Sequence, residues 1–381
     1  MVLIAFQYTV LVPPEELSSP GLVSSSRKVQ SHQKREPLSG FFFQQKYNIC
    51  RWDITTISYI AVEKQDVEVH QTVFNFLPEP VVVLASYNGL VCCRSCFIFR
   101  DPCFYSCNPL NKDFGGLCLY ICNPLNKEWI RLKWDEPDIG NSFGLALGSS
   151  RDPIGTSNNF KLIRVVKSRK SNVAGFSFDI YSSDIGAWKE SEEICRCYYN
   201  LYKNSGIFVE GVLHWLTDGV KAKVLTFNVE RELSWLVSVP LPSTEFVSIP
   251  EACIGDSEGK LHYILISEYG LHVWFLEDIF ESRWSLKLSK TLEELEVEHS
   301  DFFCNLREKA TQRLAVNEHP WIDPLAFKDG NLLMRHDSMF FLYNIYTNKM
   351  KKLCELNKLG TGFIRCAVVP FSSSLVPLNQ A

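Results

Sequence analysis

One short stretch of the chain has the spacing of a serine nucleophile, Gly255-Asp-Ser257-Glu-Gly259. It matches the G-x-S-x-G elbow of α/β-hydrolases, in which a strand turns sharply into a helix and exposes the serine. The residues that follow, 261–266, alternate as a strand does and show no helical period. The stretch therefore predicts a polar hairpin turn. A hydrolase acting through Ser257 remains an alternative, and it would need a histidine within hydrogen-bond reach.

The cysteines offer a second chemistry, a zinc site. Seven of the fourteen lie between Cys92 and Cys122, and the pairs Cys93-x-x-Cys96 and Cys118-x-x-x-Cys122 have ligand-like spacing. No histidine lies nearby, and the cysteines stand in apolar runs, where a free thiol packs as a small hydrophobe. We predict reduced thiols and no metal, with metal analysis of the purified chain as the test of the zinc alternative.

No other group of residues predicts catalysis or cofactor binding. The eight histidines are scattered, and His214, His262 and His272 fall within strand-like runs beside large apolar residues, which favours packed histidines. The sequence has no glycine-rich phosphate loop. We therefore predict no catalytic residue, no cofactor and no enzyme activity.

The composition indicates a folded protein. Of 381 residues, 46% are hydrophobic and 13% aromatic, which is too apolar for disorder. The 39 Lys and Arg residues against 43 Asp and Glu give a net charge of −4, without the basic patch that a nucleic-acid partner requires. No apolar run reaches the roughly 18 residues of a membrane-spanning helix, and no Asn-x-Ser/Thr sequon points to secretion. We expect an intracellular protein of the cytoplasm, the nucleus or both.

Two kinds of hairpin alternate along the chain. In the first, a two-residue turn ending in glycine separates two apolar strands, and glycine suits a turn that needs positive φ; these turns are Asn88-Gly89, Glu210-Gly211, Glu258-Gly259 and Asp329-Gly330. In the second kind, a longer polar turn leads to a strand that often bears tryptophan, as in 178–188, 224–235 and 271–284. Two hairpins make a four-stranded unit, and the recurrence of such units predicts a β-propeller.

One hairpin of the second kind occurs twice in succession. Phe104-Tyr-Ser-Cys-Asn-Pro-Leu-Asn-Lys112 returns as Leu119-Tyr-Ile-Cys-Asn-Pro-Leu-Asn-Lys127. In both copies Asn-Pro starts a turn and Asn-Lys continues it. We assign the second copy to the hairpin, because Trp129 and Leu132 follow it as the pattern requires, and we interpret the first as an insertion.

These patterns predict an all-β fold, a β-propeller of about five to six four-stranded blades. A short helix is expected between late blades, where Thr291-Leu-Glu-Glu294 is a capping box, and the acidic residues 293–298 should form its solvated face. Ring closure would pair a strand near 40–43 with the last strand, 363–369. Residues 1–37 are predicted to be a flexible or degenerate N-terminal segment, 38–371 the propeller and 372–381 a C-terminal tail.

An ordered set of motifs resembles plant F-box proteins that carry the kelch-like F-box-associated β-propeller domain. The motifs that carry the resemblance are Leu84-Ala-Ser-Tyr-Asn-Gly-Leu-Val-Cys-Cys-Arg94, Tyr120-Ile-Cys-Asn-Pro-Leu-Asn-Lys-Glu-Trp129, Phe160-Lys-Leu-Ile-Arg-Val165, Phe178-Asp-Ile-Tyr-Ser-Ser-Asp-Ile-Gly-Ala-Trp-Lys-Glu190, Gly211-Val-Leu-His-Trp-Leu216, Val239-Pro-Leu-Pro242, Gly259-Lys-Leu-His-Tyr263 and Val273-Trp-Phe-Leu-Glu-Asp278. The resemblance implies a non-catalytic, protein-binding subunit that recruits a substrate to an SCF-type ubiquitin ligase, in which partner subunits transfer the ubiquitin.

The chain departs from that family at its start. Only Val12-Pro-Pro-Glu-Glu-Leu17 is similar to the beginning of an F-box, and too few residues precede Leu38 for three helices. Binding of a Skp-type adaptor, and through it of a cullin scaffold, is therefore in doubt. The alternatives are a stand-alone protein-binding propeller or decoy, and an enzyme, either a hydrolase at Ser257 or a sugar-processing propeller with carboxylates converging in its channel.

The substrate of such a subunit would be a protein that the sequence does not identify. Large aromatic residues dominate the energetics of protein interfaces. Those that fall outside the strand pattern are the candidate contact residues, namely Tyr198, Tyr199, His319 and Trp321. Packing between blades is an equally valid interpretation of all of them.

Overall fold

The computed structural model describes residues 36–45, 57–63, 69–70, 73–95, 118–132, 142–147, 159–168, 174–201, 205–218, 222–240, 246, 250–315, 322–359, 366–375 and 377–378. Nearly all of the predicted N-terminal segment and the first copy of the duplicated hairpin, 104–112, lie outside these ranges. The described residues fall within one compact unit, which runs from Arg35 to Ala381.

Strands dominate the described part of the chain. In chain order they begin with β1 Gly40–Gln45, β2 Ile57–Ala61, β3 Val69–His70, β4 Val81–Tyr87, β5 Leu90–Ser95, β6 Leu119–Asn123, β7 Glu128–Leu132, β8 Ser142–Leu147, β9 Phe160–Lys167, β10 Gly175–Ser182, β11 Ala187–Arg196 and β12 Ile207–Val209. They continue as β13 Val212–Leu216, β14 Lys223–Asn228, β15 Leu233–Ser238, β16 Glu251–Ser257, β17 Lys260–Ser267, β18 Gly270–Asp278, β19 Arg283–Lys290, β20 Ile322–Lys328, β21 Asn331–His336, β22 Met339–Asn344, β23 Lys349–Glu355 and β24 Cys366–Phe371.

The strands form antiparallel units of a β-propeller. Four sheets have four strands each: sheet 1 (β24-β1-β2-β3), sheet 2 (β4-β5-β6-β7), sheet 3 (β8-β9-β10-β11) and sheet 4 (β12-β13-β14-β15). The large sheet has eight, in the order β19-β18-β17-β16-β20-β21-β22-β23. Thus the all-β propeller class is correct, whereas the described residues form four separate four-stranded sheets, fewer than the five to six expected. The difference arises because β16 and β20 pair in parallel at Gly255 and Phe327 and merge two units.

The first and last strands of the described chain pair within sheet 1. β24 pairs antiparallel with β1, with Val369 opposite Phe42 and Val368 opposite Phe43. This is the predicted closure, and it pairs strands from opposite ends of the described chain. A strand that is paired on both sides has no free edge to aggregate through.

All four predicted two-residue turns have the positive-φ backbone conformation that their glycines predict. Asn88, Glu210, Glu258 and Asp329 have φ between 46° and 51°, and each following glycine has φ between 73° and 89°. Positive φ at both central residues defines the type I′ turn, whose twist matches that of antiparallel strands.

The longer hairpin turn recurs with one design. Asn228, Asp278 and Asn344 each accept hydrogen bonds from backbone N–H groups two and three residues later, as Asx turns do. Asn123 makes the first of these bonds, to Leu125 N–H at 3.0 Å. The last turn residue, such as Lys127, has positive φ. The second copy of the duplicated motif does form this hairpin, between β6 and β7.

The predicted helix is present and has a neighbour that the sequence did not reveal. α1 (Leu292–Glu298) begins with the complete capping box of Thr291 and Glu294. α2 (Leu306–Ala315) follows it, and a 3-10 turn, η1 (Leu356–Leu359), follows β23. Glu296 accepts the N–H groups of Asn305 and Leu306 at 2.8 and 3.1 Å, at the start of α2. The acidic face of α1 is therefore a set of structural contacts as well as a solvated surface.

Neither α-helix in the described part of the chain has the length and apolar content needed to cross a bilayer.

The apolar core lies between neighbouring sheets instead of in one centre. Phe178 of sheet 3 stacks on Phe227 of sheet 4 with ring centroids 4.3 Å apart, and Phe43 of sheet 1 contacts Phe340 of the large sheet at 5.1 Å. Such sheet-to-sheet packing is what orients the connecting loops.

Candidate partner-binding surface

The strand order gives the propeller two different ends. The turns between the first and second, and the third and fourth, strands of each unit lie at one end, which we call the hairpin face. The remaining connections, including α1 and α2, lie at the other end, which we call the loop face. Loops held by a rigid scaffold are where binding residues concentrate.

One loop-face segment is firmly held and presents an aromatic side chain. Residues 197–201 follow β11, and Asn200 N–H donates to Asp218 Oδ1 at 2.9 Å while Asp218 N–H donates to Asn200 C=O at 2.9 Å. Leu201 also bridges to Thr217. Two residues before Asn200, the side chain of Tyr198 is 89% exposed. A tyrosine in this setting offers an apolar ring and a hydroxyl group at little entropic cost to binding.

The four predicted contact residues have different outcomes. Tyr198 is exposed, so it can contact a partner. Tyr199 is half-buried and packs against the apolar cluster between sheets 3 and 4, as the packing interpretation expects. His319 and Trp321 lie outside the described residues. The structure therefore separates two adjacent tyrosines that the sequence could not distinguish.

Sequence reasoning missed another aromatic pair on the loop face. Phe246, between β15 and β16, contacts Tyr269 of the β17–β18 turn, with ring centroids 6.1 Å apart. Tyr269 is 40% exposed. The signal was an aromatic residue inside a two-residue turn, at Glu268-Tyr269, where polar residues are usual.

Ser257 is held in a structural contact. It ends β16, is 1% exposed, and its Oγ lies 2.9 Å from the hydroxyl oxygen of Tyr346. The Glu258-Gly259 turn leads into strand β17 and not into a helix. His262 Nδ1 contacts the carbonyl oxygen of Lys260 at 3.1 Å, and register places Lys260, not a histidine, opposite Ser257. The hydrolase alternative is therefore not favoured.

The cysteine spacing does not produce a metal site in the described ranges. Cys92, Cys93, Cys118 and Cys122 are buried within sheet 2, and no group of three or more Cys, His, Asp or Glu side chains among the described residues could hold a metal ion. Burial, and to a smaller extent the neighbouring Cys122, raises the pKa of Cys92 well above its ordinary value. Cys96, Cys103 and Cys107 lie outside the described residues.

The three strand histidines are packed, as their neighbours in sequence indicated. Burial lowers the pKa of His214 to about 3, and its Nδ1 atom has no hydrogen-bond partner. Burial also lowers the pKa of His262 and of His272, whose ring stacks on Trp274 at 5.5 Å. Neutral, enclosed imidazoles of this kind support the core.

A buried ion pair lies in the described part of the central channel. Lys328 Nζ donates to the two carboxylate oxygens of Asp256 at 3.1 and 3.2 Å. Two cavities lined by described residues of the channel have volumes of 40 and 20 Å³. They have room for water molecules and are far below the roughly 300 Å³ of a small-molecule site. Asp256 is the only carboxylate among the described residues that line them, whereas glycoside hydrolysis uses a pair. The described channel thus does not support the sugar-processing alternative.

The fold and this site define a β-propeller with an exposed aromatic loop and no catalytic arrangement among its described residues. The family described as F-box protein At3g26010-like, beta-propeller, matches residues 67–303. The chain belongs to this family, which confirms the resemblance seen in the motifs. Members of F-box β-propeller families are generally non-catalytic adaptors.

Individual relatives are more distant. The chain is 25% identical over 228 residues to the F-box protein At5g49610 of Arabidopsis thaliana. The matched residues are 58% of this chain and 57% of that protein. The chain therefore spans little more than half the length of this relative.

Solved structures resemble the chain only weakly. An acylaminoacyl peptidase of Pyrococcus horikoshii is 9% identical to this chain, with a TM-score of 0.40. The match covers 80% of this chain and 42% of the peptidase chain. Apo AztD of Citrobacter koseri is 9% identical to this chain, with a TM-score of 0.37. The match covers 89% of this chain and 100% of the AztD chain. Likeness at this level carries no functional argument.

Proposed function

We propose that this chain is the substrate-recognition part of an SCF-type ubiquitin ligase, and that it holds a protein substrate on its loop face. The family match over residues 67–303 carries the proposal. The exposed, anchored Tyr198 supports it, because such a side chain is suited to an interface and is not needed by the core. Ubiquitin transfer belongs to partner subunits in this proposal, and the site of action is the cytoplasm or the nucleus.

The blade count belongs to the same proposal. Each half of the large sheet is a four-stranded meander, and first strands contact one another in the cyclic order β4, β8, β12, β16, β20 and β24. We count these halves as two blades, so that the propeller has six. Residues 38–371 would then form the ring and 372–381 a tail, of which Leu378 donates its N–H to Glu128 at 2.8 Å.

The substrate part of the proposal is tested by quantitative affinity capture from plant cells. We compare the chain with Tyr198→Ser and with Ile185→Ser, which removes an apolar side chain that is 76% exposed on the hairpin face. We expect the substrate proteins to be lost with Tyr198→Ser and kept with Ile185→Ser. Retention of every captured protein by Tyr198→Ser would contradict the assignment of the loop face.

The ligase part is tested separately by a pull-down with purified Skp-type adaptor. The ligase part requires the full chain to bind the adaptor and, through it, a cullin scaffold, although the chain resembles an F-box only over residues 12–17. If the chain captures substrates but binds no adaptor, the alternative of a stand-alone binder or decoy is correct, and the loop-face assignment is unaffected.

A further inference from the structure

Three apolar side chains, two of them exposed and one half-buried, form a patch on the rim between sheet 4 and the large sheet. They are Leu233 and Trp235 of β15 and Phe280 of the β18–β19 turn, and we call them the rim patch. Leu233 is 44% and Phe280 70% exposed. The rings of Trp235 and Phe280 meet edge to face with centroids 5.4 Å apart. Leu233 and Trp235 are two residues apart on one strand, so their side chains share a face.

The rim patch is held in place by bonds between the two sheets. Ser238 N–H donates to Ser282 Oγ at 3.1 Å, and Trp284 Nε1 donates to Ser238 C=O at 2.8 Å. Phe280 N–H donates to Asp278 Oδ1 at 2.8 Å, which fixes the turn. A partner would meet a preorganised surface and would not have to order it.

The turn does not require phenylalanine at its tip. The equivalent position is Glu230 in the β14–β15 turn, Leu125 in the β6–β7 turn and Tyr346 in the β22–β23 turn, and all three turns use the same Asx hydrogen bond. Leu125 and Tyr346 are exposed too, but Glu230 shows that the turn forms with a charged residue there. Folding therefore leaves the exposure of Phe280 unexplained. An exposed aromatic residue beside a tryptophan is typical of an interaction surface.

Negative charge surrounds the rim patch. The turns 230–232 and 277–283 contain five carboxylates and two arginines. Lys189 of β11 also pairs with Glu232, Nζ to Oε1 at 2.7 Å, so carboxylates exceed cations by two. Arg283 lies within 4 Å of three of them, Glu277, Asp278 and Glu281. Backbone N–H groups of Glu281 and Phe280 lower the pKa of Asp278, so that carboxylate stays ionised at neutral pH. The surplus of carboxylates complements a basic partner.

We propose that the rim patch is a docking surface for a protein segment in which a large apolar side chain is flanked by lysine or arginine. The apolar side chain would pack against Trp235 and Phe280, and the basic residues would face the carboxylates of the two turns. The rim patch lies toward the hairpin face, away from Tyr198, and the inference requires neither an adaptor nor a loop-face substrate.

The experiment selects peptides from a random twelve-residue phage library against the full chain and measures the affinity of the synthesised binders by fluorescence anisotropy. We expect binders with a basic-flanked apolar residue. Phe280→Ser should weaken them by about tenfold or more, while Ile185→Ser, a matched change in the turn between β10 and β11, should leave the affinity unchanged. Glu281→Lys should weaken the same peptides and flatten the salt dependence of their affinity.

Three results would overturn the proposal. They are the recovery of no binding peptide, the recovery of peptides without basic enrichment, and equal affinity for the Phe280→Ser and unchanged chains. Phe280 is exposed, so its variant should fold, and circular dichroism with the unfolding midpoint verifies this. None of these outcomes bears on the loop-face capture experiment, so the two proposals fail separately.

Discussion

Acidification should destabilise this propeller through one histidine in particular. His214 of β13 is 3% exposed, and burial lowers its pKa from 6.5 to about 3. The folded state therefore keeps the imidazole neutral in a range where the unfolded chain protonates it. Because the unfolded state then binds more protons, the free energy of unfolding falls as the pH drops below 6.5, and it keeps falling until the pH reaches the folded-state pKa.

The size of the effect follows from the two pKa values. Stability changes by about 1.4 kcal/mol for each pH unit between them. Between about pH 7.5 and about pH 5, His214 alone should remove about 2 kcal/mol. Since domains have a free energy of unfolding of only about 5 to 15 kcal/mol, this loss is easily measured.

Urea unfolding followed by tryptophan fluorescence at several pH values between these limits measures the effect. We compare the unchanged chain with His214→Leu, which removes the titrating group, and with Leu216→Val, which loosens the same strand without removing one. The stability of His214→Leu should fall less on acidification, by about 2 kcal/mol, while Leu216→Val should follow the unchanged chain. Equal pH dependence of all three proteins would refute the reasoning.

Two further pairs of variants test contacts between and within sheets. A Cβ atom at Gly255 would lie 1.8 Å from Phe327 O, so Gly255→Ala should lower the free energy of unfolding by about 2 kcal/mol or more. The control Gly186→Ala has open space around its Cβ and should lower it by about 1 kcal/mol, because φ is positive there. Equal unfolding midpoints of the two variants in urea would refute this. Arg164 and Asp179 form a buried ion pair, with Nε to Oδ2 at 2.8 Å. Arg164→Met should lower the free energy of unfolding by about 3 to 5 kcal/mol because it leaves the Asp179 charge unpaired, and Arg164→Met with Asp179→Leu should lower it clearly less. A double variant no more stable than the single one would contradict this argument.

Local features of this fold were readable from the sequence because they depend on neighbouring residues. The Glu258-Gly259 turn needs only a residue that tolerates positive φ followed by glycine. The helix start at Thr291 needs only a capping box. The closure of β1 on β24 joins residues far apart in the chain, but it too could be predicted, since a propeller leaves one N-terminal and one C-terminal segment to pair.

The number of sheets and the partner-binding surface could not be predicted from neighbouring residues in this way. The parallel pairing of Gly255 with Phe327 that merges two units depends on a close approach between strands far apart in sequence. The missed helix α2 is started by the Glu296 carboxylate, which comes from α1. Neither contact leaves a periodic signal, because each involves one or two residues of each partner element.

The candidate binding residues show why periodicity alone does not find such sites. Tyr198 and Tyr199 are adjacent and identical in type, yet one packs between sheets and the other is 89% exposed. The backbone next to these two residues is held by the Asn200–Asp218 hydrogen bonds. Phe280 is recognisable only by comparison with equivalent turns, where Glu230 shows that the fold accepts a charged residue. A residue that the repeated structure does not need, held rigidly at the surface, is therefore the strongest indication of binding in this propeller.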